Sequence, residues 1–183
     1  GANSAVGLRS MPARYLFLDE VDGYLEAIDG EGDPVALAEA RSMTFGHRRK
    51  IFMVSTPTIA GHSRIEDEYG KSDQQRYLVP CPHCGHKQWL RFERLRWTDD
   101  NPETTRYYCE GCEGGIEERH KLGMLKDGEW RATSESSDGG VTVGFHISTL
   151  YAPPGWKSWA DIAREKIACG DSAYRHQVFT NTV

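Results

Sequence analysis

Four of the five cysteines in this 183-residue chain form two matched pairs, Cys81-Pro82-His83-Cys84-Gly85 and Cys109-Glu110-Gly111-Cys112-Glu113-Gly114, with 24 residues between them. Each Cys-x-x-Cys makes a tight turn that aims two sulfurs at one point, and a glycine after the second cysteine eases that turn. Two such knuckles on adjacent hairpins complete a tetrahedral four-sulfur zinc site, the pattern of a zinc ribbon. A secreted disulfide scaffold is shorter and denser in cysteine, and redox-active pairs do not normally come as a matched set. Metal-bound thiolates in a reducing compartment are the better reading. The shell is full, so Zn²⁺ is expected to be structural. His83 and His86 could substitute as ligands, but four sulfurs already suffice. Cys169 falls at a helix C-terminus and reads as a small buried or semi-exposed thiol.

Upstream of the knuckles the texture alternates. Residues 13–18 (ARYLFL) form a short apolar run entered after Pro12. Asp33-Pro34 supplies an N-cap and a first-turn proline for a helix to about Met43, with Ala36, Leu37 and Ala40 on one side. Residues 50–54 (KIFMV) are a second apolar run, 62–71 read as helical, and 76–79 as a third short strand. Short continuous strands alternating with helices predict an α/β fold, a parallel sheet covered by helices on both faces. Ligands collect beyond the carboxyl ends of such strands.

Asp19 and Glu20 stand at that end of the first strand. An aspartate there can hold Mg²⁺ through water, since the hard cation prefers oxygen ligands. The adjacent glutamate can polarise a water in line with a γ-phosphate. This is the division of labour of a Walker B element; the bland alternative is a solvated acidic turn. About 36 residues later the second strand ends in Ser55-Thr56-Pro57-Thr58, a hydroxyl-bearing tip that can sense the phosphate and pass the change on. The alternative there is a simple helix cap. No GxxxxGK[ST] phosphate loop occurs in the chain, so it reads as the second half of an ATPase, binding ATP weakly or not at all by itself.

Charge narrows the options further. With 22 Lys+Arg against 27 Asp+Glu the net charge is −5, which argues against a polybasic nucleic-acid arm. Local basic surfaces remain: Arg91, Arg94 and Arg96 interleave with Trp89, Phe92 and Trp97 between the knuckles, where they could touch phosphates and stack bases. The competing reading is aromatics filling a thin ribbon core under solvated arginines. Arg9 is a further candidate contact. No apolar run is long enough for a membrane span, and the start lacks the apolar core of a signal peptide. The missing initiator Met hints at a chain cut from something longer. The polar stretch 132–140 reads as a linker, 141–147 as a strand, and Ser158-Trp159-Ala160-Asp161 as a capping box opening a helix to about Ala168. Asp171 or Ser172 opens another helix. The tract 151–159 reads as a connector whose tryptophans pack on the sheet.

Taken in order, GANSAVGLRS, RYLFLDEVD, EGDPVALAEAR, KIFMVSTPT, YLVPCPHCGHKQ, YYCEGC and GFHISTLYAPPGWKSW through VFTNTV resemble the large terminase subunit of lambda-like bacteriophages and prophages, the DNA-packaging ATPase. The resemblance implies a P-loop, helicase-like ATPase that translocates double-stranded DNA into a prohead, with a metal-dependent nuclease domain downstream. Asp19 would match the magnesium aspartate, Glu20 the catalytic glutamate, and Ser55, Thr56 and Pro57 the coupling motif. Cys81, Cys84, Cys109 and Cys112 would match an inserted ribbon. The implied layout is a half ATPase core over 1–79, a zinc ribbon over 80–131, and returning elements of the ATPase domain over 132–183. ATP and Mg²⁺ would serve the intact protein. Its partners would be DNA, a small terminase subunit and the portal or prohead, with no membrane, in the cytoplasm of the bacterial host. Two alternatives stay open: a zinc-ribbon module binding nucleic acid or a partner, and a helicase-like translocase.

Overall fold

The apolar runs at 15–19 and 50–54 pair side by side, as β1 (Tyr15–Asp19) and β2 (Lys50–Val54), parallel and in register from Tyr15↔Lys50 to Asp19↔Val54. The computed structural model describes residues 11–28, 30, 32–58 and 61–182, and the chain divides into two compact units at Glu68/Tyr69. In the first unit the strands follow period 2. Leu16, Leu18, Ile51 and Met53 pack with Val21, Val35, Ala38 and Ile65. The opposite face carries Tyr15, Phe17, Phe52 and Val54, with Phe17 80% exposed. Among the described residues this sheet therefore has two strands packed on one face, rather than the wider sheet with helices on both faces.

Helix α1 (Pro34–Ala40) starts where its cap predicts: the Asp33 carboxylate accepts from the N–H groups of Val35 and Ala36. It stops short of Met43 because the Ser42 hydroxyl bonds back to the Glu39 carbonyl at 2.7 Å and a 3₁₀ stretch, Met43–Arg48, follows. Its buried side is Pro34, Val35 and Ala38, while Ala36 and Ala40 face solvent. Helix α2 (Arg64–Lys71) opens at Ser63, whose Oγ accepts from Glu66 N–H, and carries the chain across the junction of the units.

The third strand corrects the expected alternation. β3 (Gln75–Pro80) belongs to a separate sheet, antiparallel to β4 (Lys87–Trp89) on one side and to β8 (Glu129–Arg131) on the other. The first cysteine knuckle explains this: it reverses the chain straight after Pro80 and returns β4 along its neighbour. Of the expected strand over 141–147 only β9 (Phe145–His146) forms, parallel to β3. β5 (Leu95–Thr98), β6 (Asn101–Tyr108) and β7 (Gly115–Ile116) make a second antiparallel sheet. Among the described residues, parallel pairing is thus confined to β1–β2 and β3–β9, in a mixed α/β chain.

Helices α3 (Lys121–Lys126), α4 (Trp159–Cys169) and α5 (Ala173–Thr182) complete the second unit. One core runs from Val79 to Phe179, with Tyr107, Ile116, Leu150, Trp159 and Ile162 inside it. The Ser158 and Asp161 side chains form the predicted capping box of α4. Trp159 is fully buried, its Nε1 donating to the Leu150 carbonyl at 3.0 Å, whereas Trp156 is 84% exposed. Only the second of the connector's two tryptophans packs, therefore. Residues 132–140 are tied down as well: Thr133 and Ser134 donate their N–H groups to the Asp73 carbonyl and Ser137 to that of Lys71. Cys169 closes α4 as a buried thiol.

Candidate functional site

Parallel pairing brings the two strand tips of the first unit to one end, Asp19 beside Val54. Beyond them lie Glu20 on one side and Ser55-Thr56-Pro57 on the other. Asp19 and Glu20 are both exposed, and among the described residues neither carboxylate has a hydrogen bond or ion pair. Two unencumbered carboxylates suit a hard divalent cation. Glu20 is held at φ 55°, ψ 48°, left-handed backbone that a residue with a Cβ seldom adopts. The turn that follows keeps it there, with Gly23 N–H donating to the Glu20 carbonyl at 2.9 Å and Val21 buried beneath.

Asp22 joins the two tips, a role its sequence position did not reveal. Its N–H donates to Ser55 Oγ at 3.2 Å. Its carboxylate accepts from Thr58 N–H at 3.1 Å, the Thr58 hydroxyl at 3.2 Å and Ile65 N–H at 2.9 Å, the last at the start of α2. Burial alone would raise its pKa, but the bonds from Ser63, Ile65 and Thr58 win and hold the carboxyl below its ordinary 3.8. Asp33 similarly caps α1 and grips Arg64 of α2 through two bonds, 2.6 and 2.9 Å. Three segments, 19–22, 55–58 and the start of α2, are therefore locked together around one carboxylate.

In the second unit the four predicted cysteines converge. Their sulfurs all lie within 4.8 Å of one another, with Cys81–Cys112 at 3.9 Å and Cys84–Cys109 at 3.7 Å. A tetrahedral ion with bonds of about 2.3 Å needs sulfurs about 3.8 Å apart, so the set can hold a metal ion. The knuckles repeat one backbone pattern. The N–H two residues on from the first cysteine donates to its sulfur (His83, Gly111), and the N–H four residues on donates to its carbonyl (Gly85, Glu113). That last position has positive φ in both, 74° at Gly85 and 54° at Glu113. The second knuckle thus places a glutamate where the sequence reading wanted glycine. Its carboxylate pairs with Arg94 at 2.8 Å. Gly111 is needed for a different reason: a Cβ there would lie 2.8 Å from the His86 ring. Burial pushes the Cys81 thiol up to about 12. Burial opposes ionisation of Cys109 too, but N–H donors from Cys112 and Gly111 overcome it and bring that thiol to about 7. A cation supplies the charge that lets four adjacent sulfurs ionise together. Neither His83, bonded to the Gly115 carbonyl at 3.2 Å, nor His86 joins the cluster.

The candidate basic contacts divide. Arg91 pairs with Glu110 and Arg94 with Glu113. Arg96 instead lies over the Tyr108 ring at 4.8 Å. Tyr107 is fully buried in the core, while Phe92 and Trp97 are half-buried. Arg9 lies outside the described residues. Among them, no helix is long and apolar enough to cross a membrane.

A family model described as "Phage terminase large subunit gpA, ATPase domain" matches residues 1–130. The chain belongs to the phage terminase large subunit family. It is 28% identical over 203 residues to the large terminase subunit of Escherichia phage lambda, covering all of this chain and 31% of that protein. Its likeness to the large terminase subunit of Enterobacteria phage P21 is 26%, with the same coverage. The chain thus spans about a third of the length of these terminases. No solved structure matches it.

Two outcomes test this terminase geometry. Cys84→Ser will abolish tight binding of one metal ion per chain. Chelation will melt the second unit of the unaltered protein, read by metal analysis and circular dichroism, because binding energy of a structural ion is folding energy. Asp22 gives a pH signature. Its pKa is lowered on folding, so its stabilisation is complete above the ordinary value of 3.8 and disappears as pH falls through the lower folded value. The stability lead of the parent chain over Asp22→Asn in urea unfolding will shrink across that acid window; a lead independent of pH would remove the carboxylate from the account.

Proposed function

We propose that this chain carries the acidic and coupling half of the ATP-hydrolysing core of a terminase large subunit, the motor that moves viral double-stranded DNA into a prohead. One observation carries the reading: the carboxylates of Asp19 and Glu20 and the 55–58 tip leave the same end of a parallel strand pair, bridged by Asp22. In this reading Asp19 holds Mg²⁺ and Glu20 orients and polarises the attacking water. Bound Mg²⁺ would neutralise charge on the triphosphate. The left-handed backbone at Glu20 departs from the extended conformation of the strand it follows, which supports different tasks for the two neighbouring acids. Ser55, Thr56 and Pro57 form the coupling element, and the Asp22 bonds to Ser55, Thr58 and Ile65 give it a mechanical path to α2.

The wider parallel sheet and the P-loop that such a core requires belong to the same proposal, as does a nuclease domain elsewhere in the intact subunit. The ion in the four-sulfur cluster is Zn²⁺, supported by the all-thiolate donor set and its closed tetrahedral spacing. It braces the ribbon and takes no part in hydrolysis. Arg9, Arg91, Arg94 and Arg96 are the proposed DNA contacts. Arg96, stacked on a ring without a carboxylate partner among the described residues, is the best placed of the three that are described. A small terminase subunit and the portal would be the protein partners.

In the full-length subunit, Glu20→Gln will cut ATP turnover by about 10²-fold or more, the usual worth of a positioned general base, while nucleotide affinity stays close to that of the parent. Turnover at the parent rate would show that Glu20 is not the base.

A further inference from the structure

The unit that begins at Tyr69 has a groove of its own, about 360 Å³ in volume, lined by Arg76, Trp89, Arg91, His146, Ser148 and Phe179 among others. That volume lies within the usual range for small-ligand pockets. Arg76, on the central strand β3, is half-buried. Its guanidinium sits 4.7 Å from the Trp89 ring and 5.3 Å from the Tyr69 ring. Nearby, Lys87 and Arg131 share the Glu129 carboxylate and Arg91 pairs with Glu110, while Lys166, over the Phe92 and Phe179 rings, bonds His176. Arg76 has no carboxylate partner among the described residues.

A partly desolvated charge without a counter-ion is costly, and ring faces return only part of that cost. The position is therefore electrostatically open to an anion. Its surroundings narrow the kind. His146, paired in register with Arg76 and exposed at the groove, has its pKa lowered by partial desolvation and by the Arg76 charge. It offers a neutral ring that would gain a proton as an anion arrived. The Ser148 hydroxyl accepts from Leu150 N–H at 3.3 Å and keeps its own proton to donate. Behind these polar groups lies an apolar floor, with Leu90, Leu150 and Phe179 buried and Phe92 half-buried. Glu93 is the acid on the rim, and it is exposed.

We propose that this groove binds a nucleotide unit, its phosphate on Arg76 with help from His146 and Ser148, and its base or sugar against the Leu90–Phe179 floor. Guanidinium and phosphate form charge-assisted, planar contacts that suit the site. The phosphate could come from a free or terminal nucleotide or from an internal position of a nucleic-acid strand. This binding depends on neither Asp19 nor Glu20, so it stands or falls separately from the hydrolysis reading.

The test is an NMR titration of the isotope-labelled, Zn²⁺-loaded chain with thymidine, dTMP and the dinucleoside monophosphate TpT. The His146 ring and Trp89 indole signals should move with dTMP, TpT or both, and not with thymidine. Movement with dTMP alone assigns a free or terminal phosphate; movement with TpT alone assigns an internal phosphodiester. Arg76→Gln should weaken binding by about tenfold or more, and Arg76→Lys should restore part of it. A melting curve shows whether Arg76→Gln folds, and if it does not, the parent signals and Arg76→Lys decide. The proposal is overturned if neither phosphate probe moves those two signals, if thymidine moves them equally, or if folded Arg76→Gln binds with unchanged affinity.

Discussion

The direction in which two short strands run decides what chemistry the first unit can hold. β1 and β2 are parallel, so Asp19 lies across from Val54 and both chains leave the pair at the same end. Antiparallel pairing would have set the carboxylates against the amino end of β2, beside Lys50, with the hydroxyl tip at the far side. Parallel strands need a crossover between them, and α1 with the following 3₁₀ stretch provides it. The Asp22 bonds then fasten the two tips and the start of α2 into one assembly, which a lone acidic turn would not achieve.

A different constraint governs the second unit. The two cysteine knuckles reverse the chain, and that reversal forces β4 back along β3 and β7 back along β6. The Gln88 side chain on β4 accepts from Glu110 N–H at 2.7 Å, so one knuckle is also tied to the strand that leaves the other. Tyr107 adds a further tie, its hydroxyl reaching the Trp89 carbonyl. The ribbon does not stand alone. Trp159 and Ile162 of α4 fill its core, and the Glu118 carboxylate meets both Trp159 N–H and the buried Lys121 ammonium.

What the sequence revealed was mostly local. The Asp33-Pro34 start of α1, the capping box at Ser158 and the cysteine turns are set by residues within a few positions of one another, and all are present. What it concealed depends on distant partners. Val79 reads as a strand residue in either sheet, and only the turn at Cys81 decides which. Asp22 looks like one more acid after Asp19 and Glu20, because the groups it binds lie 33 to 43 positions away. The clue available in advance was the single hydroxyl-bearing tip, Ser55-Thr56-Pro57-Thr58, that it meets. Glu113 sits in a backbone conformation that favours glycine, compensated by Arg94, and no local rule predicts such a trade. Trp156 and Trp159 look alike in sequence, yet only one is positioned by a helix against the core.

The claim at the centre of this account is that Asp22 transmits the state of the acidic tip to the 55–58 tip and α2 without taking part in bond cleavage. The most direct measure is the number of base pairs packaged per ATP hydrolysed by full-length subunit carrying Asp22→Asn, assayed with its partners and prohead. The account predicts that ATP hydrolysis persists while packaged DNA per ATP falls. An unchanged ratio, or loss of hydrolysis as complete as for Glu20→Gln, would contradict it.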